Sequence, residues 1–197
     1  MIDPNGRDEY DTVKGLRVKH NNGNTLLVPN ASYIGQANGG GKTLGGTYAL
    51  AHAIQEQQGS ELIRFTAFDD NYHRSEKYKQ KTGGSISTHT KGTALDFTIA
   101  GGKQKSDAVI NMVEALGKEA GIDLGTLNEY TRKTKGGTAN HIHVHFKSKK
   151  DAQTFGDFYK NKKEQQRKRQ EIERFVDKFF KKELAKFAIR DNTKVAE

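Results

Sequence analysis

Ser87-Thr88-His89-Thr90-Lys91-Gly92-Thr93-Ala94-Leu95-Asp96-Phe97 sets a histidine and an aspartate seven positions apart, the second of them inside a strand-like pattern. Over residues 93–99 the side chains alternate, with Ala94, Asp96 and Thr98 on one face and Leu95, Phe97 and Ile99 on the other, so Asp96 leaves a strand whose back is apolar. His89 precedes that strand, and Gly92 lets the intervening loop fold back. A second stretch, Asn140-His141-Ile142-His143-Val144-His145-Phe146, has the same period: three histidines face one way while Ile142, Val144 and Phe146 face a core. The two strands fit as neighbours in one sheet.

These residue types suit a divalent metal. Zinc takes imidazole nitrogen and carboxylate oxygen at about 2.0–2.2 Å, and a catalytic site uses three protein ligands plus a water. One histidine and one aspartate from the first stretch and one histidine from the second make such a set. Strand rise is roughly 3.3 Å per residue, so the outer histidines of the second stretch would sit about 13 Å apart and cannot share an ion. Only the pairs 141/143 or 143/145 can, and His143 belongs to both. A lone His-x-His on a strand is ordinarily a half-exposed alternating face. Here four of the seven histidines fall in these two stretches, each facing away from an apolar set, and that conjunction points to a shared metal site.

Ser87-x-His89-x-x-Gly92-x-Ala94-x-Asp96 resembles the first metal motif of the zinc peptidases that include D-Ala-D-Ala carboxypeptidases, the VanX/VanY-type enzymes and penicillin-insensitive murein endopeptidase. These share their site architecture with lysostaphin and sonic hedgehog. Asn140-His141-Ile142-His143-Val144 is similar to their second motif, Asp-His-x-His-Val, with Asn140 in place of the Asp and Thr138 where some relatives carry a further histidine. The resemblance implies one zinc ion held by His89, Asp96 and His143, with His141 as the unligated catalytic histidine and Ser87 as a substrate contact. His145 permits an alternative register in which it is the ligand, as in lysostaphin-like enzymes. Relatives carry an arginine after a Ser-Gly-Tyr-Arg strand end; residues 65–74 lack that motif, and Arg74 is the candidate for the role. The resemblance covers about residues 45–150.

The opening Met1-Ile2-Asp3-Pro4-Asn5-Gly6-Arg7-Asp8-Glu9-Tyr10 resembles the end of an Rhs-repeat-associated core, where a conserved shell joins a variable C-terminal toxin. It implies the toxin end of a secreted polymorphic effector, delivered to the periplasm or cell wall of a competitor and matched by a cognate immunity protein. Asp-Pro-Asn-Gly is also a plain turn signal.

The chain has 197 residues, of which 33% are hydrophobic, so one domain with polar loops or extensions is expected. It lacks cysteine, which excludes disulfides and thiolate metal sites. No run approaches 18 apolar residues, so no transmembrane segment is expected, and without a signal-peptide core export would require other means or a longer polypeptide.

Residues 15–28 read as a hairpin, Leu16-Arg17-Val18-Lys19 and Thr25-Leu26-Leu27-Val28 flanking Asn21-Asn22-Gly23-Asn24. Gly35 to Thr43 invites a phosphate-loop reading but fails on spacing, and Pro29 interrupts the strand that should precede it, so no nucleotide is expected. Helices are predicted over residues 44–57 and from a Ser106 cap to Glu119, with Val109, Met112, Val113 and Leu116 buried and Gly121 as the stop. A strand is predicted over 62–67, and loops over 80–86 and 129–137. His52 reads as structural, and His73 as exposed or at the rim of the site.

Beyond Phe146 the composition shifts: Lys147 to Arg190 hold 15 Lys/Arg against 7 Asp/Glu, about +8 of the chain's +9. Ile172, Phe175, Val176, Phe179, Phe180, Leu184 and Phe187 recur at helical spacing and define an amphipathic helix. It either packs back on the domain or docks to a partner or an anionic envelope surface.

The expected architecture is α+β: a small, mostly antiparallel sheet carrying a zinc site, flanking helices and a C-terminal amphipathic helical extension. The expected domains are an Rhs-type linker (1–14), an accessory hairpin and glycine-rich loop (15–43), a zinc peptidase domain (44–150) and a basic helical extension (151–197). The expected activity is hydrolysis of amide bonds in peptidoglycan stem peptides or cross-links, as a carboxypeptidase or an endopeptidase. The alternatives are a metal-dependent nuclease toxin, which would need phosphate-binding cations around the metal, and a non-catalytic zinc-binding module. The basic excess lies outside the motif region, so nucleic acid is not the expected substrate.

Overall fold

The computed structural model describes residues 10–13, 16–19, 43–59, 63–132 and 140–193. In chain order its elements are β1 (Tyr10–Val13), β2 (Leu16–Lys19), α1 (Gly45–Gln58), β3 (Ile63–Ala67), α2 (Asn71–Arg74), α3 (Glu76–Thr82), a short helical turn (His89–Lys91), β4 (Ala94–Ile99), α4 (Lys103–Glu119), β5 (Leu124–Asn128), β6 (Ile142–Phe146) and α5 (Lys149–Thr193). The fold class is α+β, as the alternation predicts. The chain divides into two units, Met1–Tyr159 and Lys160–Glu197.

Alternating apolar residues force the pairing at the centre of the first unit. Leu95 and Phe97 of β4 and Ile142, Val144 and Phe146 of β6 are all buried, and β4 pairs antiparallel with β6 so that Leu95 faces Val144 and Phe97 faces Ile142. The same register sets Asp96 directly opposite His143, because a period of two sends the intervening residues to the other face. The sheet order is β1-β2-β3-β4-β6-β5. Every neighbouring pair is antiparallel except β2 and β3. Helices α1 and α4 and the first turns of α5 supply the other half of the core through Leu50, Ile54, Val109, Val113, Ala152 and Phe155.

Several expectations change. Strand Leu16–Lys19 forms, but its antiparallel partner is Tyr10–Val13, inside the predicted linker; residues 25–28 lie outside the described residues. Only Lys14 and Gly15 separate the two strands in sequence, the length of the commonest hairpin connection. Helix α3 runs to Thr82, capped by the Ser75 hydroxyl, so the predicted loop starts at the left-handed Gly83. Helix α4 begins at Lys103, and Ser106 is buried within its first turn, where its hydroxyl donates to Lys103 O and accepts from Asn128 Nδ2.

The domain also extends past residue 150. Ala152 and Phe155 are fully buried, Phe155 packing against Phe146 at 5.9 Å between ring centroids. Gly46 of α1 lies so close to α5 that a Cβ there would fall inside the Ala152 carbonyl group. Ending the chain after Lys150 should therefore cost at least the about 3–5 kcal/mol of truncating one buried Phe. The cooperative thermal transition seen by circular dichroism should be lost. Ending it after Tyr159 should preserve that transition; equal stability of both truncations would put the start of α5 outside the core.

Candidate metal centre

The turn that carries His89 is built from its own hydroxyls. His89 N–H donates to Ser87 Oγ at 3.2 Å, Thr90 Oγ1 donates to Ser87 O at 2.8 Å, and Gly92, at φ 75°, closes the turn by donating to His89 O at 2.8 Å. That φ is open to glycine at little cost, which is why the chain can reverse here straight into β4. The turn sets the fully buried His89 ring with Nδ1 at 2.7 Å from Phe68 O and Nε2 at 3.1 Å from Asp96 Oδ1.

His143 arrives from the adjacent strand. Its Nδ1 lies 2.7 Å from the same Asp96 oxygen and 3.2 Å from His89 Nε2, while its Nε2 lies 3.4 Å from Thr88 Oγ1. Three donor atoms thus meet at one point from a turn and two strands. Donors bound tetrahedrally at about 2.0–2.1 Å are roughly 3.3 Å apart, so the spacing is close to that of a metal set.

The tautomers reinforce this. Phe68 O only accepts, so His89 Nδ1 carries a hydrogen, and in the neutral ring Nε2 then presents a lone pair to a carboxylate oxygen. Burial lowers the His89 pKa, against the opposing pull of Asp96. Burial acts to raise Asp96, but His89 and His141 by charge, and His141 and His143 by hydrogen bonding, hold it well below the usual carboxylate range. A carboxylate among imidazole nitrogens is a donor set that can hold a cation, and outer hydrogen bonds to Phe68 O and Thr88 Oγ1 orient the rings as metal-ligating histidines are oriented.

A second triple overlaps the first. The buried group His73, His89 and Asp96 can hold a metal ion, its ligand atoms all lying within 4.8 Å of one another. His73 spends Nδ1 on Asp70, at 3.0 Å from both carboxylate oxygens, and its ring stacks on His89 at 3.9 Å between centroids. Burial pushes His73 down to about 4 and Asp70 up to about 7. Either residue can complete the set: His143 lies at 2.7 and 3.2 Å from the other two donors, and His73 has its outer nitrogen held by a carboxylate, as metal-ligating histidines commonly do. His73 therefore belongs to the centre, and more intimately than a rim residue would.

His141 stands beside the donor set, Nε2 3.3 Å from Asp96 Oδ2 and Nδ1 3.4 Å from Glu129 Oε2. Glu129 is buried just after β5, and its N–H donates to His141 O at 2.9 Å. His145 is different. It lies opposite Ala94 and Gly125, where a Cβ on Gly125 would collide with its ring, and no hydrogen bond or ion pair joins it to Asp96 or His89 among the described residues. Arg74 Nη2 is bound to the fully buried Asp69 at 2.6 and 2.7 Å and reaches Thr90 O at 3.4 Å, so it braces the His89 turn. Ser87 accepts the His89 N–H with its oxygen, a bond that leaves its own hydroxyl proton unspent.

Sequence reasoning missed Glu129 and underrated His73. Asp70-x-x-His73 has the spacing of one helical turn and is a legible signal, whereas Glu129 reaches His141 only through the pairing of β5 with β6. Neither family models, nor curated proteins, nor solved structures give a match to this chain.

The geometry generates a metal-content test. His89→Ala, Asp96→Ala and His143→Ala should each strip bound metal on dialysis, measured by elemental analysis, whereas His145→Ala should retain it. His73→Ala discriminates between the triples: retention there with loss in His143→Ala selects the first, and loss there with retention in His143→Ala selects the overlapping one.

Proposed function

We propose that this chain is a zinc-dependent peptidase that hydrolyses amide bonds in peptidoglycan stem peptides or cross-links. The observation that carries the reading is the meeting of His89 Nε2, Asp96 Oδ1 and His143 Nδ1, with a fourth side chain, His141, beside them and oriented by a buried carboxylate. Zinc held by those three residues would supply Lewis acidity to polarise a scissile carbonyl and acidify an attacking water.

The remaining steps belong to the protein. Both His141 nitrogens face carboxylate oxygens, so the ring is held at a defined angle and is set to manage a proton or to stabilise the oxygen of a tetrahedral intermediate. Glu129 is the positioning residue, and its burial removes competing water from the contact. Ser87 retains a hydroxyl proton for a substrate oxygen, and Arg74 contributes by bracing the turn. The peptidoglycan substrate follows from the motif resemblance, as does delivery as the toxin end of a secreted effector with an immunity protein. Charge weighs against a nuclease: residues 160–197 hold 13 Lys/Arg against 7 Asp/Glu, so +6 of the net +9 lies outside the unit that contains the centre.

Purified protein incubated with sacculi should release stem-peptide fragments, detected by chromatography and mass spectrometry, and a chelator should abolish the release. His141→Ala should lower turnover by about 10²–10⁴-fold with metal content unchanged. Glu129→Gln should lower it by about 10–100-fold, the usual effect of losing an outer-shell partner. Intact sacculi alongside chelator-sensitive degradation of nucleic acid would replace this reading with the nuclease. Metal binding without turnover of either substrate would make the centre a non-catalytic module.

A further inference from the structure

The second unit, Lys160–Glu197, contains none of the residues given a role above and has a chemical character of its own. Its described residues continue helix α5, which has two successive parts. Residues 160–169 contain Lys160, Lys162, Lys163, Arg167, Lys168 and Arg169 against the single acid Glu164. Immediately after come Ile172, Phe175, Val176, Phe179, Phe180 and Leu184, each between 43% and 71% exposed.

Their placement is regular. At 3.6 residues per turn, Ile172 to Phe180 cover an arc of about 140° of the helix surface, while Arg174, Lys178 and Lys181 fall on the opposite side with Asp177, and Lys182 and Glu173 border the arc. Leu184 lies one turn beyond Phe180, at the edge of this arc. No helix in the described residues is long and apolar enough to cross a membrane.

We propose that this helix is a peripheral membrane anchor, lying in the surface of an anionic lipid bilayer with its phenylalanine face among the acyl chains and its basic run on the headgroups. Three considerations select this occupant. A coiled-coil partner would use a narrow seam of two positions in seven, whereas this arc is broad and carries three phenylalanines. A second copy of the chain would bring another unit of net charge +6 against the first, and like charge opposes that contact. Nucleic acid would satisfy the basic residues through its phosphates and leave the apolar arc in water. An anionic bilayer satisfies both parts at once: basic clusters beside an amphipathic helix are attracted to acidic lipid, and the apolar face then inserts to the depth of the headgroup–acyl boundary. The ion pairs along the helix, Lys168 with Glu164 and Lys181 with Asp177, are exposed contacts between adjacent turns and offer weak competition.

The test is co-sedimentation of the full-length protein with vesicles of phosphatidylglycerol and phosphatidylethanolamine, and with vesicles of phosphatidylcholine alone. Binding should favour the anionic vesicles and fall steeply between low and high salt. Phe175→Ser combined with Phe179→Ser should weaken it about tenfold or more. Lys163→Gln, Arg167→Gln and Lys168→Gln together, which remove half of the basic run, should weaken the binding and reduce its salt dependence. All five positions are exposed, so the first unit should keep its thermal transition in both variants. Absence of binding to anionic vesicles at low salt would overturn the proposal. So would a dimer in analytical ultracentrifugation that the serine variant dissociates while vesicle binding is unchanged, or retention by duplex DNA with no affinity for vesicles.

Discussion

One carboxylate oxygen, Asp96 Oδ1, receives two imidazole nitrogens within 3.1 Å, and the first unit is arranged so that this contact can exist. Asp96 reaches it from the centre of β4, His143 from its register partner on β6, and His89 from the turn that leads into β4. A one-residue slip between these strands would send Asp96 or His143 to the apolar face and dissolve the cluster.

The opposite face holds that register. Leu95, Phe97, Ile142, Val144 and Phe146 are buried with helices α1 and α4 and the start of α5, each burial worth roughly 1.5–3 kcal/mol. Hydrophobic packing on one face thereby secures a polar cluster that by itself would contribute little to stability. The register of β3 against β4 shifts between Phe65 and Ala67, immediately before the Phe68 carbonyl that accepts from His89. Irregularities of this kind commonly re-aim groups next to functional sites. Asp69 and Asp70 follow at once, the first binding Arg74 and the second binding His73, so one short segment after β3 braces the centre from three successive residues.

Charge is divided between the two units in a way that suits separate tasks. The unit with the candidate metal centre carries +3 and the second carries +6, taking 20 Lys/Arg against 17 Asp/Glu before residue 160 and 13 against 7 from there on. At physiological salt the Debye length is about 8 Å, so the basic helix acts on surfaces it nearly touches.

Alternation alone determined the two central strands, their buried faces and the side of the sheet on which Asp96 and His143 stand, because a period of two leaves no freedom once the apolar set is known. The seven-residue spacing of His89 and Asp96, and the shared membership of His143, were likewise legible. Tertiary structure decided the rest. Nothing local shows that Glu129 in a polar loop meets His141, that His73 lies flat on His89, that Arg74 is spent on Asp69, or that Phe155 belongs to the core. Each depends on contacts between segments distant in sequence or on the exit angle of a strand, and a periodic pattern encodes which face a residue takes but not which neighbour waits there.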